Sequence, residues 1–255
     1  MAGIIPGIFI AVTFMVYVYL KCKNDPNLLK NEKRYTWKDK FELTKKSFPL
    51  LLAPIIILGG IYGGYFTATE SAAVAVIYAF VLYIVTGKRT LKDHFHVIKN
   101  AAITSTMILL IVAGASTFGS LVTLLQITQK FTEWAVSSSV SGWGIIVLIM
   151  IIAIILGMFM DGIALTMIVV PIVFATVLAM GFDPIWFGVL FTLNMEIGLI
   201  SPPVGMTLYT VKGVSDVDFS TIVKGSLPFL LVLLFCLVVI GLFEPISLWI
   251  PSMMK

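Results

Sequence analysis

The residues that invite a chemical reading are hydroxyls, carboxylates and interrupted backbone set in an otherwise apolar chain. Thr67, Thr69 and Glu70 close the stretch GGIYGGYFTATES at 59–71, with Gly64 in its second glycine pair. Gly114, Ser116 and Thr117 lie in GASTFGS at 114–120. Asp161 stands between Gly157 and Gly162, and Ser201, Pro202 and Pro203 open SPPVG at 201–205. Hydroxyl oxygens and unwound carbonyls suit a hard cation that takes oxygen ligands. The candidate cation ligands are Thr67, Thr69, Ser116 and Thr117. Helix N-termini aimed at such a place add positive potential for an anion.

Spacing qualifies each candidate. Thr67 and Thr69, two apart, share a side only in extended chain, which predicts a hairpin tip. Glu70 also suits capping and dipole compensation at the start of the following helix. GASTFGS reads either as an unwound cation site or as small-residue helix packing with its hydroxyls bonded back to their own carbonyls. Asp161 is expensive inside a membrane, about 2.5–3.5 kcal/mol at a helix centre, so it marks a site or a turn between spans. Pro202 and Pro203 cannot sit inside an intact helix, so 200–205 reads as a break or as an ordinary loop.

Other chemistry finds no support. Cys22 and Cys236 lie in unlike contexts and suggest neither disulfide nor metal site. His94 and His96 sit in a short basic segment, and no nucleotide-binding glycine fingerprint or P-loop occurs. One intramembrane acid without an acid–base or metal partner argues against an enzyme, and no cofactor is expected.

The elements that must position these residues are set by composition. Of 255 residues, 59% are hydrophobic and only 12% charged, against about 25% charged in a soluble domain. The fold class is therefore an all-α polytopic membrane protein. Lys and Arg concentrate at 21–46 and 88–99, which the positive-inside rule places in the cytoplasm. Acidic residues interleave there and both segments abut spans, so a nucleic-acid patch is not the reading. Residues 4–20 are a first span. Residues 21–47 are a basic loop ending in an amphipathic helix, TWKDKFELTKK, in the interface. Residues 48–86 are too short for two full spans and a turn, which predicts a re-entrant hairpin with Pro54 kinking its first arm. Residues 101–127 form a broken helix, and 142–255 hold the remaining spans. A polar break between short apolar segments points to a transporter site.

Several stretches together resemble one family: Pro6-Gly7 in the first span, GGIYGGYFTATESAAVAVIYA at 59–79, GMFMDGIALTMIVVPI at 157–172 and IGLISPPVGMTLY at 197–209. They are similar to the large permease subunit of tripartite ATP-independent periplasmic (TRAP) transporters, and to its C-terminal inverted repeat only. The resemblance implies an ion-transporter-type repeat with a re-entrant hairpin and discontinuous transmembrane helices. It implies sodium-coupled, elevator-type uptake of a small organic acid such as a C4-dicarboxylate or sialic acid across the inner membrane. The implied partners are a small four-helix membrane subunit and a periplasmic solute-binding protein, besides membrane lipid. It places Thr67, Thr69 and Glu70, then Gly114, Ser116 and Thr117, and Asp161 where that family gathers its site, with Ser201-Pro202-Pro203 as a signature. Two rival expectations are an ion channel, and an incomplete or split-gene product that needs a separate N-terminal half.

Overall fold

The computed structural model describes residues 1–25, 36–86, 90–215 and 217–253. Part of the basic loop expected at 21–47, residues 26–35, lies outside them, as do residues 88 and 89 of the second basic segment. The described residues form eleven α-helices and no strand: α1 (Ile4–Asn24), α2 (Trp37–Tyr62), α3 (Ala68–Thr86), α4 (Leu91–Leu124), α5 (Ile127–Ser137), α6 (Gly142–Gly157), α7 (Gly162–Ala179), α8 (Pro184–Ile200), α9 (Met206–Val214), α10 (Phe219–Leu242) and α11 (Pro245–Ser252). Among them α1, α3, α4, α7 and α10 are long and apolar enough to cross a bilayer. The chain is thus an all-α polytopic membrane protein. Helices α6 and α8 have 16 and 17 residues. At about 1.5 Å per residue both fall short of a hydrocarbon core ~30 Å thick.

The chain divides into two compact units, Met1–Pro26 with Ser105–Lys255, and Asn27–Thr104. The second unit is built on the helix pair α2 and α3. Tyr78 on α3 donates its hydroxyl to the Pro49 carbonyl on α2 at 2.7 Å. Pro54 lies inside α2 without ending it. The 56° bend falls earlier, between Trp37–Lys45 and Ser47–Tyr62. Pro49 has no N–H to offer the carbonyl four residues before it, that of Lys45, and so weakens the ladder at that point. At the turn, Gly64 has φ +72°, and the Gly60 carbonyl accepts from Tyr65 N–H at 3.0 Å and Phe66 N–H at 3.2 Å. By length and composition, Ala68–Val85 of α3 is a candidate membrane span.

The first unit holds the core. Buried positions recur at helical spacing along α6 (Ile145, Ile149, Ala153), α7 (Leu165, Val169, Val173, Val177) and α8 (Trp186, Leu190, Asn194, Ile197), and α10 adds Leu233, Cys236 and Ile240. This i, i+4 pattern gives each helix one stripe to pack. Trp186 is fully buried, stacks on Phe182 and donates its indole N–H to the Ile240 carbonyl at 3.3 Å. Asn194, also fully buried, donates its amide to the Met150 carbonyl at 3.1 Å, tying α8 to α6. Gly181-Phe-Asp-Pro turns the chain into α8: Gly181 has φ +81°, and the Asp183 carboxylate caps Ile185 and Trp186 N–H.

The break expected in GASTFGS is not there. Helix α4 runs unbroken from Leu91 to Leu124. Thr117 donates its hydroxyl to the Ala113 carbonyl, Ser120 to Ser116 and Thr123 to Gly119, at 2.9–3.1 Å. Glycine weakens a helix by about 1 kcal/mol in water, but in hydrocarbon an opened turn would leave backbone groups with no partner at several kcal/mol each. The chain turns later, where Gln126 takes φ 55° between α4 and α5. Helix α5 then docks on α7: Thr128 donates to the Pro171 carbonyl at 3.3 Å, and the hydroxyls of Thr132 and Thr176 meet at 2.8 Å.

Trp186→Ala should lower unfolding free energy by about 3–5 kcal/mol, as expected for deleting a buried aromatic. Trp37→Ala, at a residue 86% exposed, should stay within about 0.5 kcal/mol. Denaturant titration of the detergent-solubilised protein, followed by circular dichroism, measures both.

Candidate functional site

Two helix interruptions in the first unit meet. Helices α6 and α7 are joined by Met158–Asp161 and α8 and α9 by Ser201–Gly205, and the Gly205 N–H donates to the Met158 carbonyl at 3.3 Å. Glycines set this meeting. A Cβ on Gly198 would lie 2.9 Å from Gly157 Cα, and one on Gly157 would lie 3.2 Å from Gly198 Cα. Backbone therefore touches backbone at the last turns of α6 and α8, immediately before both breaks. A Cβ on Gly162 would meet the Met195 sulfur at 2.6 Å, which fits the start of α7 against α8.

Each break exposes different chemistry. Asp161 is the N-cap of α7, and its Oδ1 accepts from Ile163 N–H at 2.9 Å and Ala164 N–H at 3.1 Å. It is a half-buried turn residue that places a carboxylate at the positive end of an apolar helix. Ser201 is buried and donates its hydroxyl to the Ile197 carbonyl at 2.6 Å. Pro202 and Pro203 have no N–H, so the α8 ladder cannot extend to the carbonyls of Gly198 and Leu199 through them. Ser201 N–H supplies Gly198 instead, at 3.0 Å. Gly205, with φ +61°, restarts the chain as α9. The result is two interruptions, one with the Asp161 carboxylate at the start of α7 and one with Gly205 at the start of α9, joined by the hydrogen bond from Gly205 to Met158.

The other sequence candidates are placed differently. Gly64, Thr67, Thr69 and Glu70 belong to the second unit, whereas Gly114, Ser116 and Thr117 belong to the first. Thr67 and Thr69 do not share an extended tip, because α3 begins at Ala68 and residues two apart on a helix point to different sides. Thr67 and Glu70 form a capping box: Thr67 N–H and Oγ1–H both donate to Glu70 Oε2 at 2.8 Å, and Glu70 N–H donates to Thr67 Oγ1 at 3.3 Å. Ser116 and Thr117 lie on the intact face of α4, so the unwound carbonyls expected beside them are absent. Among the described residues no cluster of three or more His, Cys, Asp or Glu side chains has metal-holding geometry. The residues that sequence reasoning missed are Gly198, Gly205 and the Met158 carbonyl. A glycine in the last turn before each break was the available signal.

Gly198→Ala should destabilise the protein by about 1–3 kcal/mol, because the clashing atoms are backbone and cannot give way. Gly114→Ala, which meets nothing within 4 Å, should be neutral or stabilising by up to about 1 kcal/mol. Paired thermal melts in one detergent compare the two.

Comparison with known proteins places this architecture. The profile of the tripartite ATP-independent periplasmic transporter, DctM component, matches residues 1–246. The sialic acid TRAP transporter large permease protein SiaM of Vibrio cholerae is 35% identical over 99% of this chain and 59% of its own length. The C4-dicarboxylate TRAP transporter large permease protein DctM of Pseudomonas aeruginosa is 34% identical over 98% and 58%. The ectoine TRAP transporter large permease protein TeaC of Halomonas elongata is 29% identical over 99% and 59%. The chain thus spans about three fifths of the length of the curated relatives it matches. With a matching profile across nearly all its residues, the chain belongs to the DctM component family of tripartite ATP-independent periplasmic transporters.

Proposed function

We infer that the chain carries the C-terminal part of the translocation site of a sodium-coupled importer of small organic acids. Its place is the inner membrane. The observation that supports this reading most is the convergence of the Met158–Asp161 and Ser201–Gly205 breaks. Irregular backbone at membrane depth survives only when buried in protein or lining a cavity, and paired half-helices are where secondary transporters bind substrate and coupling ion. Asp161 and the carbonyls around Ser201, Pro202 and Pro203 would hold the cation. The N-terminal ends of α7 and α9 would face the substrate carboxylate, as helix N-termini favour anions. Coupling follows from linkage: sodium that stabilises the substrate-binding arrangement raises substrate affinity, and substrate raises sodium affinity by the same factor.

The substrate class is a small carboxylate of the kind named for the relatives, which include transporters of sialic acid and C4-dicarboxylates. The expected partners are a small four-helix membrane subunit and a periplasmic solute-binding protein, with elevator-type movement of the α6–α9 assembly. Because the chain spans about three fifths of its relatives' length, a second reading is that transport requires a separate N-terminal half. Thr67 and Thr69 belong to the α2–α3 unit and Ser116 and Thr117 to the unbroken helix α4, so they are further candidate sodium ligands beside the paired breaks and not part of them.

The test separates ion binding from folding. Asn caps a helix as well as Asp does, so Asp161→Asn removes the charge and keeps the turn. Sodium at ten times its dissociation constant should raise the stability of the purified protein by about 1.4 kcal/mol over choline, and Asp161→Asn should abolish that increment. Thr67→Val should lose about 1 kcal/mol of cap stability while keeping the Asp161-dependent sodium response. A sodium response unchanged in Asp161→Asn would sink the assignment. Sodium-gradient uptake in proteoliposomes, with and without the neighbouring subunits, then distinguishes the two readings.

A further inference from the structure

Helix α8 touches both ends of the α6–α7 interruption, and the two contacts differ in kind. Gly198 meets Gly157, the last residue of α6, backbone to backbone. Three residues earlier on α8, and so on a neighbouring part of its surface, Met195 meets Gly162, the first residue of α7. This second contact is made by a side chain. A Cβ on Gly162 would lie 2.6 Å from the Met195 sulfur, 3.1 Å from its Cε and 3.4 Å from its Cγ. The half-buried thioether therefore occupies the notch that the missing Gly162 side chain leaves. One turn along α7, Thr166 Oγ1 donates to the Gly162 carbonyl at 2.7 Å and lies 3.6 Å from the same sulfur.

The two ends of the break are thus supported unequally. Backbone against backbone fixes the α6 end, because neither glycine has an atom that can turn aside. The α7 end rests on an unbranched side chain with several rotatable bonds, which fills irregular gaps readily. The three atoms nearest to a Gly162 Cβ all belong to Met195, so truncating that side chain removes the support on this side. Asp161 immediately precedes Gly162, and its Oδ1 holds the Ile163 and Ala164 N–H groups. A shift of Gly162 relative to α8 therefore moves the carboxylate relative to the Met158 carbonyl and Gly205, which are joined across the two breaks at 3.3 Å.

We propose that Met195 is a positioning residue for Asp161: its thioether, seated against Gly162, sets the gap between the last turn of α6 and the first turn of α7, and so the place of the carboxylate in the break. The consequence for cation affinity rests on the reading of this break as a sodium site, whereas the positioning itself stands on the contacts alone.

The test uses the full chain in lipid nanodiscs and two readouts. The Ile163 and Ala164 N–H groups have no carbonyl within α7 to bond, so their hydrogen exchange, followed by NMR, reports the hold of the carboxylate directly. Met195→Ala should speed exchange at both amides by at least about fivefold, toward the rate in Asp161→Ala, and leave exchange at Val169 unchanged. Met195→Leu, which nearly conserves volume, should stay within about twofold of the native protein. The second readout is the stability gained from sodium over choline. In Met195→Ala the sodium concentration needed for a given gain should rise about fivefold, and in Met195→Leu it should not. Unchanged exchange at Ile163 and Ala164 in Met195→Ala overturns the proposal. So does faster exchange spread evenly along α7, which marks a loss of packing alone. Faster local exchange with an unshifted sodium response overturns the consequence for affinity. A native protein that gains no stability from sodium would sink the transport reading, while the exchange pattern still decides the positioning.

Discussion

The contact on which the rest of the first unit depends is the one between Gly157 and Gly198. Two helix backbones touch because neither residue has a Cβ, and any side chain at either position meets backbone within about 3 Å. In lipid the hydrophobic effect does not drive helices together, so close packing and polar links must do so. The glycine contact supplies the first, and the Asn194 amide on the Met150 carbonyl supplies the second one turn earlier. Together they fix where α6 and α8 end.

Everything at the candidate site follows from that fixed end. Because both helices stop at the same level, the Met158 carbonyl lies within reach of Gly205 N–H, and one interruption satisfies part of the other. The prolines at 202 and 203 keep α8 from continuing, and Asp161 starts α7 by taking two backbone N–H groups on one carboxylate oxygen. A pair of helices packed along one buried stripe thus holds two short stretches of irregular backbone. A transporter site needs this division, since ligand oxygens must be free while their supports are not.

Repetition helps to interpret the second unit. The box formed by Thr67 and Glu70 recurs with Thr36 and Asp39 and with Thr90 and Asp93, each with the same donors and with carboxylate distances of 2.7–2.9 Å. Three helices begin in the same way, so the Thr67–Glu70 arrangement is accounted for by helix initiation. Its effect is to hold the α2–α3 turn, where the Phe66 ring packs against Gly60 and Ser71 is buried. The hydroxyls of Thr117, Ser120 and Thr123 on α4 follow the same economy, bonded to the carbonyl one turn back.

Membrane class, the helix start at Asp161 and the interruption at Ser201-Pro202-Pro203 were legible in the residues themselves. Those features rest on local physics: apolar length, the missing proline N–H, the capping preference of Asp and the cost of charge in hydrocarbon. The sequence also offered GASTFGS as a break and Thr67 with Thr69 as a pair, and the structure refused both. A glycine-rich, hydroxyl-rich segment has two local solutions, unwound or back-bonded, and the choice falls to whichever satisfies the backbone in its surroundings. What only the tertiary structure decided is which interruptions meet. That depends on a contact between Gly157 and Gly198, 41 residues apart: each stands in the last turn before a break, but that the two face each other is a long-range fact that neither local sequence carries.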